Sequence, residues 1–235
     1  MKSRLFRMAI SAGAVLVFMS PPGLAVASGH RVPLVIELFT SQGCSSCPPA
    51  NANLIKLRGR SEVLALSFSV TYWDSLGWKD VFGQEKFTNR QSSYESNLGH
   101  NGPFTPQMVV NGSRDTVGND YSSIQSLLGA GHLSNVPAIE LSSTGVNLAA
   151  GTAPLSGTDI WLVRYDPNVV NVAVRRGENT GRTLPHTNVV HELRRLGSWT
   201  GGAVRQTFEP APAGLRTAIL VQVPNGGPIL AAATD

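Results

Sequence analysis

The chain has only two cysteines, Cys44 and Cys47, and they are three positions apart. Thiols at this C-x-x-C spacing can form and break a disulfide within one small ring, or they can bind a metal ion. Such a small ring adds little to the stability of a fold, because stabilisation by a disulfide grows with the length of the loop that it closes. The spacing therefore favours redox chemistry over a structural role.

The flanking residues predict the elements that hold this pair. Arg31–Phe39 is an apolar, β-branched run that predicts a buried strand. Ser45–Gly59 has the early prolines, apolar spacing and terminal glycine of a helix. Unpaired N–H groups at a helix N-terminus favour a thiolate over a thiol. We expect Cys44 to be the exposed nucleophile and Cys47, one turn further on, to resolve the mixed disulfide.

Aromatic and acidic residues follow the next predicted strand, Val63–Val70. A strand, a helix and a second strand with these short connections predict a parallel pair with a right-handed crossover. Trp73, Asp74 and Trp78 come directly after the second strand. Ligands of open α/β sheets usually bind at the carboxyl ends of the strands. We therefore predict that these three side chains line the approach of a substrate to Cys44.

Thr105 and Pro106 begin the strand that follows the second predicted helix, Gln84–Leu98. X–Pro peptide bonds are the only ones that adopt the cis form at low cost. The arrangement resembles thioredoxin-like sites, in which a cis proline opens the strand after the second helix and packs beside the cysteines, and this resemblance implies a cis Thr105–Pro106 bond. The alternative is a proline that merely begins a strand.

Glu37 is the lone charged residue within the first predicted strand. A carboxylate buried there would have a raised pKa and could pass a proton to or from Cys47. If this strand lies near the edge of the sheet, Glu37 instead reaches solvent. The sequence leaves both interpretations open.

Metal binding is the main chemical alternative for the two thiols. Structural zinc takes four ligands, but the five histidines show no paired ligand spacing. Met108 is the only methionine beyond residue 27, so the sequence offers no thioether-rich copper site. The sequence also lacks a G-x-S-x-G motif and a phosphate-binding loop. We predict neither a metal nor a cofactor.

Residues 1–27 have the pattern of a secretory signal peptide, with a basic start, a short apolar run and Ala25-Val-Ala27 at the cleavage position. The apolar run is shorter than the ~20 residues that span a bilayer, so we expect cleavage and no stable membrane insertion. Three of the 19 basic residues lie in this segment, leaving 16 against 15 acidic ones. Without a basic run, nucleic acid is not an expected partner.

The character of the chain changes near residue 134. Before it, a hairpin over residues 103–118 and a helix over Tyr121–Leu128 complete an α/β pattern. After it, eight short strand-like runs follow at intervals typical of a β-sandwich or barrel, although Val189–Leu196 also fits a helix. We predict domains at residues 28–133 and 134–235.

The cysteine pair with Pro48 and the Thr105-Pro106 dipeptide resemble the thioredoxin-fold superfamily over residues 31–131. Three segments are more closely similar to an exported bacterial family known as domain of unknown function 1223, namely Glu37–Pro49, Tyr72–Asp80 and Phe104–Gln107. In the second half of the chain, Glu178-Asn-Thr-Gly-Arg182 and Asn188-Val-Val190 extend that similarity. The resemblance implies an α/β thioredoxin-like N-terminal domain followed by a β-rich, sandwich-like C-terminal domain, in the periplasm of a Gram-negative bacterium or secreted from it.

Two functional hypotheses follow. The first is an exported thiol–disulfide oxidoreductase that acts on protein thiols or disulfides with an unknown redox partner. Cys44 and Cys47 would then be catalytic, with Pro106 and Thr105 positioning the substrate backbone. The second is a binding or structural module of the cell envelope in which the disulfide only stiffens a loop.

Overall fold

The computed structural model describes residues 33–131, 133 and 137–235. The predicted signal peptide, residues 1–27, and part of the predicted domain boundary lie outside the described residues. The described part of the chain contains eleven strands, three α-helices and a short 3-10 helix at Asp74–Leu76. The strands and α-helices follow in the order β1 (Leu34–Thr40), α1 (Pro48–Leu57), β2 (Val63–Ser69), α2 (Glu85–Leu98), β3 (Gln107–Val110), β4 (Arg114–Val117), α3 (Tyr121–Gly129), β5 (Ile139–Ser142), β6 (Gly145–Leu148), β7 (Thr158–Ala173), β8 (Thr183–Trp199), β9 (Val204–Thr207), β10 (Arg216–Gln222) and β11 (Ile229–Thr234).

Eight of the described strands form one mixed sheet in the order β11-β10-β7-β8-β2-β1-β3-β4. β1 lies parallel to β2 and antiparallel to β3, and β3 and β4 form a hairpin. β8 lies parallel to β2, with Val189 opposite Ser67. The remaining described strands form a small sheet in the order β5-β6-β9.

The local elements predicted around the cysteines are confirmed. The parallel β1–β2 pair, the β3–β4 hairpin and helices α1, α2 and α3 all occur, with ends that differ from the predictions by up to four residues. Each depends on apolar periodicity and turn residues that are close together in the sequence. The start of the fold is therefore encoded locally.

The predicted fold class is wrong. The protein is mostly β, and it is not an α/β thioredoxin-like domain followed by a separate sandwich-like domain. β8 pairs with β2, so β7, β10 and β11 extend the sheet that β1 and β2 begin. The hydrogen-bonding edge of β2 is satisfied by a strand about 120 residues away in the chain, and local patterns do not specify such a partner.

The longest strands also differ from their predictions. The runs Asp159–Tyr165 and Val169–Arg175 belong mostly to one strand, β7, which passes through a register shift between Asp166 and Val169. Val189–Leu196, which also fitted a helix, lies inside β8. β7 and β8 thus form a long hairpin, and its turn lies close to the cysteines.

The two faces of the large sheet have different partners. Val35 and Phe39 of β1 belong to a core cluster that includes Phe87 and Tyr94 of α2. Ile36, Leu38 and other alternate residues point the opposite way, into a cluster built with α1 and α3. The small sheet packs on β7, β10 and β11 through a third cluster that includes Trp199. The side-chain alternation of β1 therefore decides which residues can reach α1 and the cysteines.

Candidate functional site

Cys44 and Cys47 lie where the loop after β1 enters α1. The Cys47 N–H donates to the Cys44 carbonyl at 3.2 Å, and Pro48 begins the helix. Both thiols are free, and their residues are 1% and 0% exposed. The position at the helix N-terminus is as predicted, but the expected exposure of Cys44 is wrong. Neighbouring segments cover the thiol.

The two thiols have opposite protonation tendencies. A hydrogen bond with Cys47 lowers the pKa of Cys44 to about 7, with further contributions from Thr105 and from the backbone at Ser46 and Cys47, while burial opposes the change. Burial and the interaction with Cys44 raise the pKa of Cys47 well above its ordinary value. Near neutral pH, Cys44 is therefore partly a thiolate, and Cys47 is a protonated donor to it.

Thr105 and Pro106 lie against Cys44, and the peptide bond between them is cis, as predicted. The Cys44 Sγ is 3.9 Å from the Thr105 carbonyl oxygen. The Trp73 indole N–H donates to the Thr105 hydroxyl oxygen at 2.8 Å. The predicted Thr105–Pro106 loop therefore lies beside the Cys44 thiol, and Trp73 is hydrogen-bonded to that loop.

Gly43 permits the close approach of Trp73. A Cβ at position 43 would lie 3.0 Å from the Trp73 Cβ and 3.4 Å from its carbonyl oxygen. A side chain here would push the loop after β2 away from the cysteines. The residue before Cys44 is thus small because Trp73 occupies the adjoining space.

Asp74 and Trp78 hold the loop that precedes Cys44. The Trp78 indole N–H donates to Gln42 Oε1 at 2.9 Å. The Gln42 backbone N–H donates to the Asp80 carboxylate at 2.7 Å, and the Asp80 N–H donates to Asp74 at 3.1 Å. Burial raises the pKa of Asp80 to about 6. Asp74 and Trp78 have no direct contact with either thiol among the described interactions.

Glu37 lies on the wrong face of β1 for the predicted proton relay. It is fully buried, as one of the two interpretations predicts. Its carboxylate accepts from Arg90 Nε at 2.6 Å and from the Tyr94 hydroxyl, both on α2. Cys47 lies beside α1, which covers the opposite face of the sheet. Glu37 therefore neutralises a buried arginine and does not contact the cysteines.

A different chain of hydrogen bonds leads away from Cys47. The Thr40 hydroxyl interacts with the Cys47 thiol and donates to Asn51 Oδ1 at 3.1 Å. The Asn51 amide nitrogen is 3.4 Å from His186 Nδ1. Burial lowers the pKa of His186 to about 4, so this ring is neutral at pH 7. The β8 strand thus contributes to the environment of Cys47.

The turn between β7 and β8, residues 174–182, covers the cysteine loop, and we name it the hairpin tip. Asn179 is fully buried, and its amide donates to the carbonyl oxygens of Gln42 at 2.9 Å and Cys44 at 2.8 Å. The Glu178 carboxylate accepts from the Ser45 N–H at 3.0 Å. Hydrogen bonds with the side chain and then the backbone of Ser45 lower the pKa of Glu178. The hairpin tip therefore fixes the backbone on both sides of the Cys44 thiol.

Comparison with protein families identifies the chain. The profile of the family described as "Protein of unknown function (DUF1223)" matches residues 35–222. The chain belongs to this family. The match includes the cysteines, the Thr105–Pro106 loop and the hairpin tip, so the whole site lies within the family's shared region.

Two solved structures are similar to this DUF1223 protein. Protein AGR_C_4864 from Agrobacterium tumefaciens is 29% identical, with a TM-score of 0.70, over 87% of this chain and 94% of that one. HBP35 of Porphyromonas gingivalis is 14% identical, with a TM-score of 0.56, over 87% of this chain and 75% of that one, so it shows a likeness of fold alone. A comparison with curated proteins finds no match.

Sequence reasoning did not assign a role to several residues of the DUF1223 site. Gln42 and Asp80 are polar residues inside two segments of the family resemblance. Both are buried, and the sequence alone did not indicate that burial. Glu178 and Asn179 were noticed only as part of the family resemblance. His186 is one of the histidines without paired ligand spacing in the sequence, and it is 1% exposed. Glu178, Asn179 and His186 reach the site only because β8 joins the large sheet.

The described residues of the DUF1223 protein contain no group of three or more His, Cys, Asp or Glu side chains arranged to hold a metal ion. Within the same part of the chain, no helix is both long and apolar enough to cross a bilayer.

Proposed function

We propose that this DUF1223 protein is a thiol–disulfide oxidoreductase that acts on protein thiols or disulfides through Cys44 and Cys47. The observation that carries this proposal is the pair of hydrogen-bonded thiols with opposite pKa changes. Cys44, with a pKa of about 7, supplies a thiolate at neutral pH. Cys47 stays protonated until it is needed as the second nucleophile. This division suits disulfide exchange, in which one thiol attacks the substrate and the other resolves the intermediate.

The proposed exchange conserves atoms and electrons. The Cys44 thiolate attacks one sulfur of a substrate disulfide, which breaks that bond, forms a mixed disulfide and releases a substrate thiolate that takes up a proton. Cys47 then loses its proton to solvent and attacks the Cys44 sulfur, releasing the second substrate thiol. The substrate gains two electrons, and the pair becomes a disulfide. Two thiols of a redox partner restore the reduced pair by the same exchange and become a disulfide, and the reverse sequence oxidises a substrate.

The same proposal extends to ancestry and location. A C-x-x-C pair at the start of a helix, beside a threonine–proline loop, resembles the sites of the thioredoxin superfamily. We therefore propose a distant relationship to that superfamily for the segment from β1 to α3. The pattern of residues 1–27 supports export to the periplasm or beyond, where disulfides persist.

One observation favours the alternative, a binding or structural module of the cell envelope. Cys44 is 1% exposed, and the hairpin tip is bonded to the backbone on both sides of it. A thiol that stays covered cannot attack a substrate. The oxidoreductase therefore requires that the hairpin tip moves, whereas the structural module does not.

Trapping a mixed disulfide distinguishes these functions. Cys47→Ser retains a hydrogen-bond donor beside Cys44 but cannot resolve an intermediate, so it should accumulate covalent complexes with substrate proteins on non-reducing gels. The matched control, Cys44→Ser with Cys47→Ser, should give none. The wild-type protein should also reduce insulin disulfides in the presence of dithiothreitol. Absence of both trapped complexes and insulin reduction contradicts the oxidoreductase proposal and supports the structural module.

A further inference from the structure

A second candidate site lies on the α2 face of the large sheet, away from α1 and the cysteines. It is a cavity of about 400 Å³ between α2, β7, β8 and the turn after β10. Its lining includes Lys86 and Arg90 of α2, Trp161 and Asp159 of β7, and Arg195 of β8. Small-molecule sites are typically concave, with an apolar wall and a few convergent polar groups. This cavity has both features.

Arg90 forms the polar floor of the cavity, and its side chain is held rigidly. Nε donates to Glu37 at 2.6 Å, and Nη2 donates to the Tyr94 hydroxyl and to Gln222 Oε1, each at 3.1 Å. Arg90 is 6% exposed. Among the described residues, its Nη1 has no hydrogen-bond partner. A buried guanidinium with one free N–H group is a preorganised donor to an anion.

The charged groups that line the cavity or lie directly behind it carry one excess positive charge. Lys86, Arg90 and Arg195 face a single lining carboxylate, Asp159, which pairs with Arg195 at 2.6 Å. Glu37, behind the floor, pairs with Arg90. Lys86 is left as an exposed cation with no ion pair among the described residues. The cavity therefore favours a ligand with negative charge.

Trp161 gives the cavity a planar wall. The guanidinium carbon of Arg90 is 5.6 Å from the centre of the Trp161 ring, so the ring and the charged floor adjoin. Aromatic ligands pack on such rings in offset or edge-on arrangements. We propose that the cavity binds a small planar anion of the aromatic carboxylate class, with its ring against Trp161 and its carboxylate between Arg90 and Lys86. This site is independent of the cysteines and of the proposed redox function.

Two probes of opposite charge test this proposal. Titration calorimetry on the purified protein would compare 2-naphthoate with 2-naphthylmethylamine, which has a similar ring system and the opposite charge. We expect the carboxylate to bind at least tenfold more tightly. Its binding should also change the tryptophan fluorescence of the wild-type protein but not that of Trp161→Phe. Equal affinity of the two probes, or no detectable binding of the carboxylate at millimolar concentration, overturns the proposal.

A charge reversal locates the binding. Lys86 is exposed, so Lys86→Glu leaves the core intact and should weaken 2-naphthoate binding about tenfold, because an attraction becomes a repulsion. Lys79→Glu makes the same change at an exposed lysine outside the cavity lining and should leave the affinity unchanged. Equal effects of both variants would mean that only the overall charge matters, and the proposed site would be wrong.

Discussion

Replacing Cys47 with alanine removes the hydrogen bond that contributes most to the low pKa of Cys44. Burial also acts on Cys44 and raises its pKa. The pKa of Cys44 should therefore rise from about 7 towards its ordinary value of 9.0. The variant Cys47→Ser is the matched control, since a serine hydroxyl can still donate to the Cys44 sulfur and should keep the pKa near its wild-type value.

The size of the effect on reactivity follows from two opposing terms. At pH 7, a thiol with a pKa of about 7 is roughly half thiolate, and one with a pKa of 9 is roughly 1% thiolate. A thiolate of higher pKa is intrinsically more nucleophilic, by about eightfold over this range. Alkylation of Cys44 at pH 7 should therefore be up to about sixfold slower in Cys47→Ala than in Cys47→Ser.

The assay is the rate of iodoacetamide modification of Cys44 between pH 5 and pH 10, followed by mass spectrometry. Only the midpoints of the two variants are compared with each other, because both variants keep the same hairpin tip and share its effect on access to the thiol. We expect a midpoint near 7 for Cys47→Ser and one to two pH units higher for Cys47→Ala. Equal midpoints for the two variants would show that the thiol–thiol hydrogen bond does not lower the pKa of Cys44.

Three further predictions test the surroundings of the site and the α2 face. Glu178→Gln weakens the bond to the Ser45 N–H, so the hairpin tip should open more often and Cys44 should be alkylated roughly two- to fivefold faster at pH 8.5. An unchanged rate would mean that the hairpin tip does not limit access to Cys44. Asp80 has a pKa raised to about 6 by burial, so its contribution to stability is complete below pH 4 and is lost as the pH rises through 6. The stability advantage of wild type over Asp80→Asn, from urea unfolding, should accordingly fall by about 2 kcal/mol between pH 4 and pH 7, and a difference that is constant with pH would contradict this. Arg90→Ala leaves Glu37 buried and unpaired, so it should lower the free energy of unfolding in urea by about 3–5 kcal/mol. The double variant Glu37→Gln with Arg90→Met removes both charges and should lower it by less. Equal losses would show that the ion pair is not the cause.

The sequence predicted those parts of the fold that depend on neighbouring residues. Apolar periodicity and turn residues specify β1, α1, β2 and the β3–β4 hairpin within the first half of the chain. The same patterns identified most of the later strands but not their partners. The edge of β2 accepts β8 over a separation of about 120 residues, and strand-like residues alone do not say which edge a strand joins. The prediction of a separate second domain was wrong for this reason.

For the candidate site, too, the sequence predicted only the part that depends on neighbouring elements. Trp73 lies near the cysteine loop because it follows the carboxyl end of β2, which is parallel to β1. Thr105 and Pro106 reach the same edge because they enter β3, which runs antiparallel to β1. Glu37 was misplaced because alternation along β1 puts it on the face opposite Thr40, and α1 packs on the Thr40 face. The contributions of Glu178, Asn179 and His186 could not be predicted from an architecture with two separate domains.

The contacts of the hairpin tip link the exposure of Cys44 to its reactivity. While the tip is closed, the Ser45 N–H at the start of the helix donates to Glu178 and is unavailable to the neighbouring sulfur. The Cys44 thiol then interacts with the backbone of Ser46 and Cys47. Movement of the tip would both uncover Cys44 and release another N–H group at the end of the loop where a thiolate is stabilised. If disulfide exchange occurs here, opening of the tip therefore makes Cys44 more accessible and more acidic in a single step.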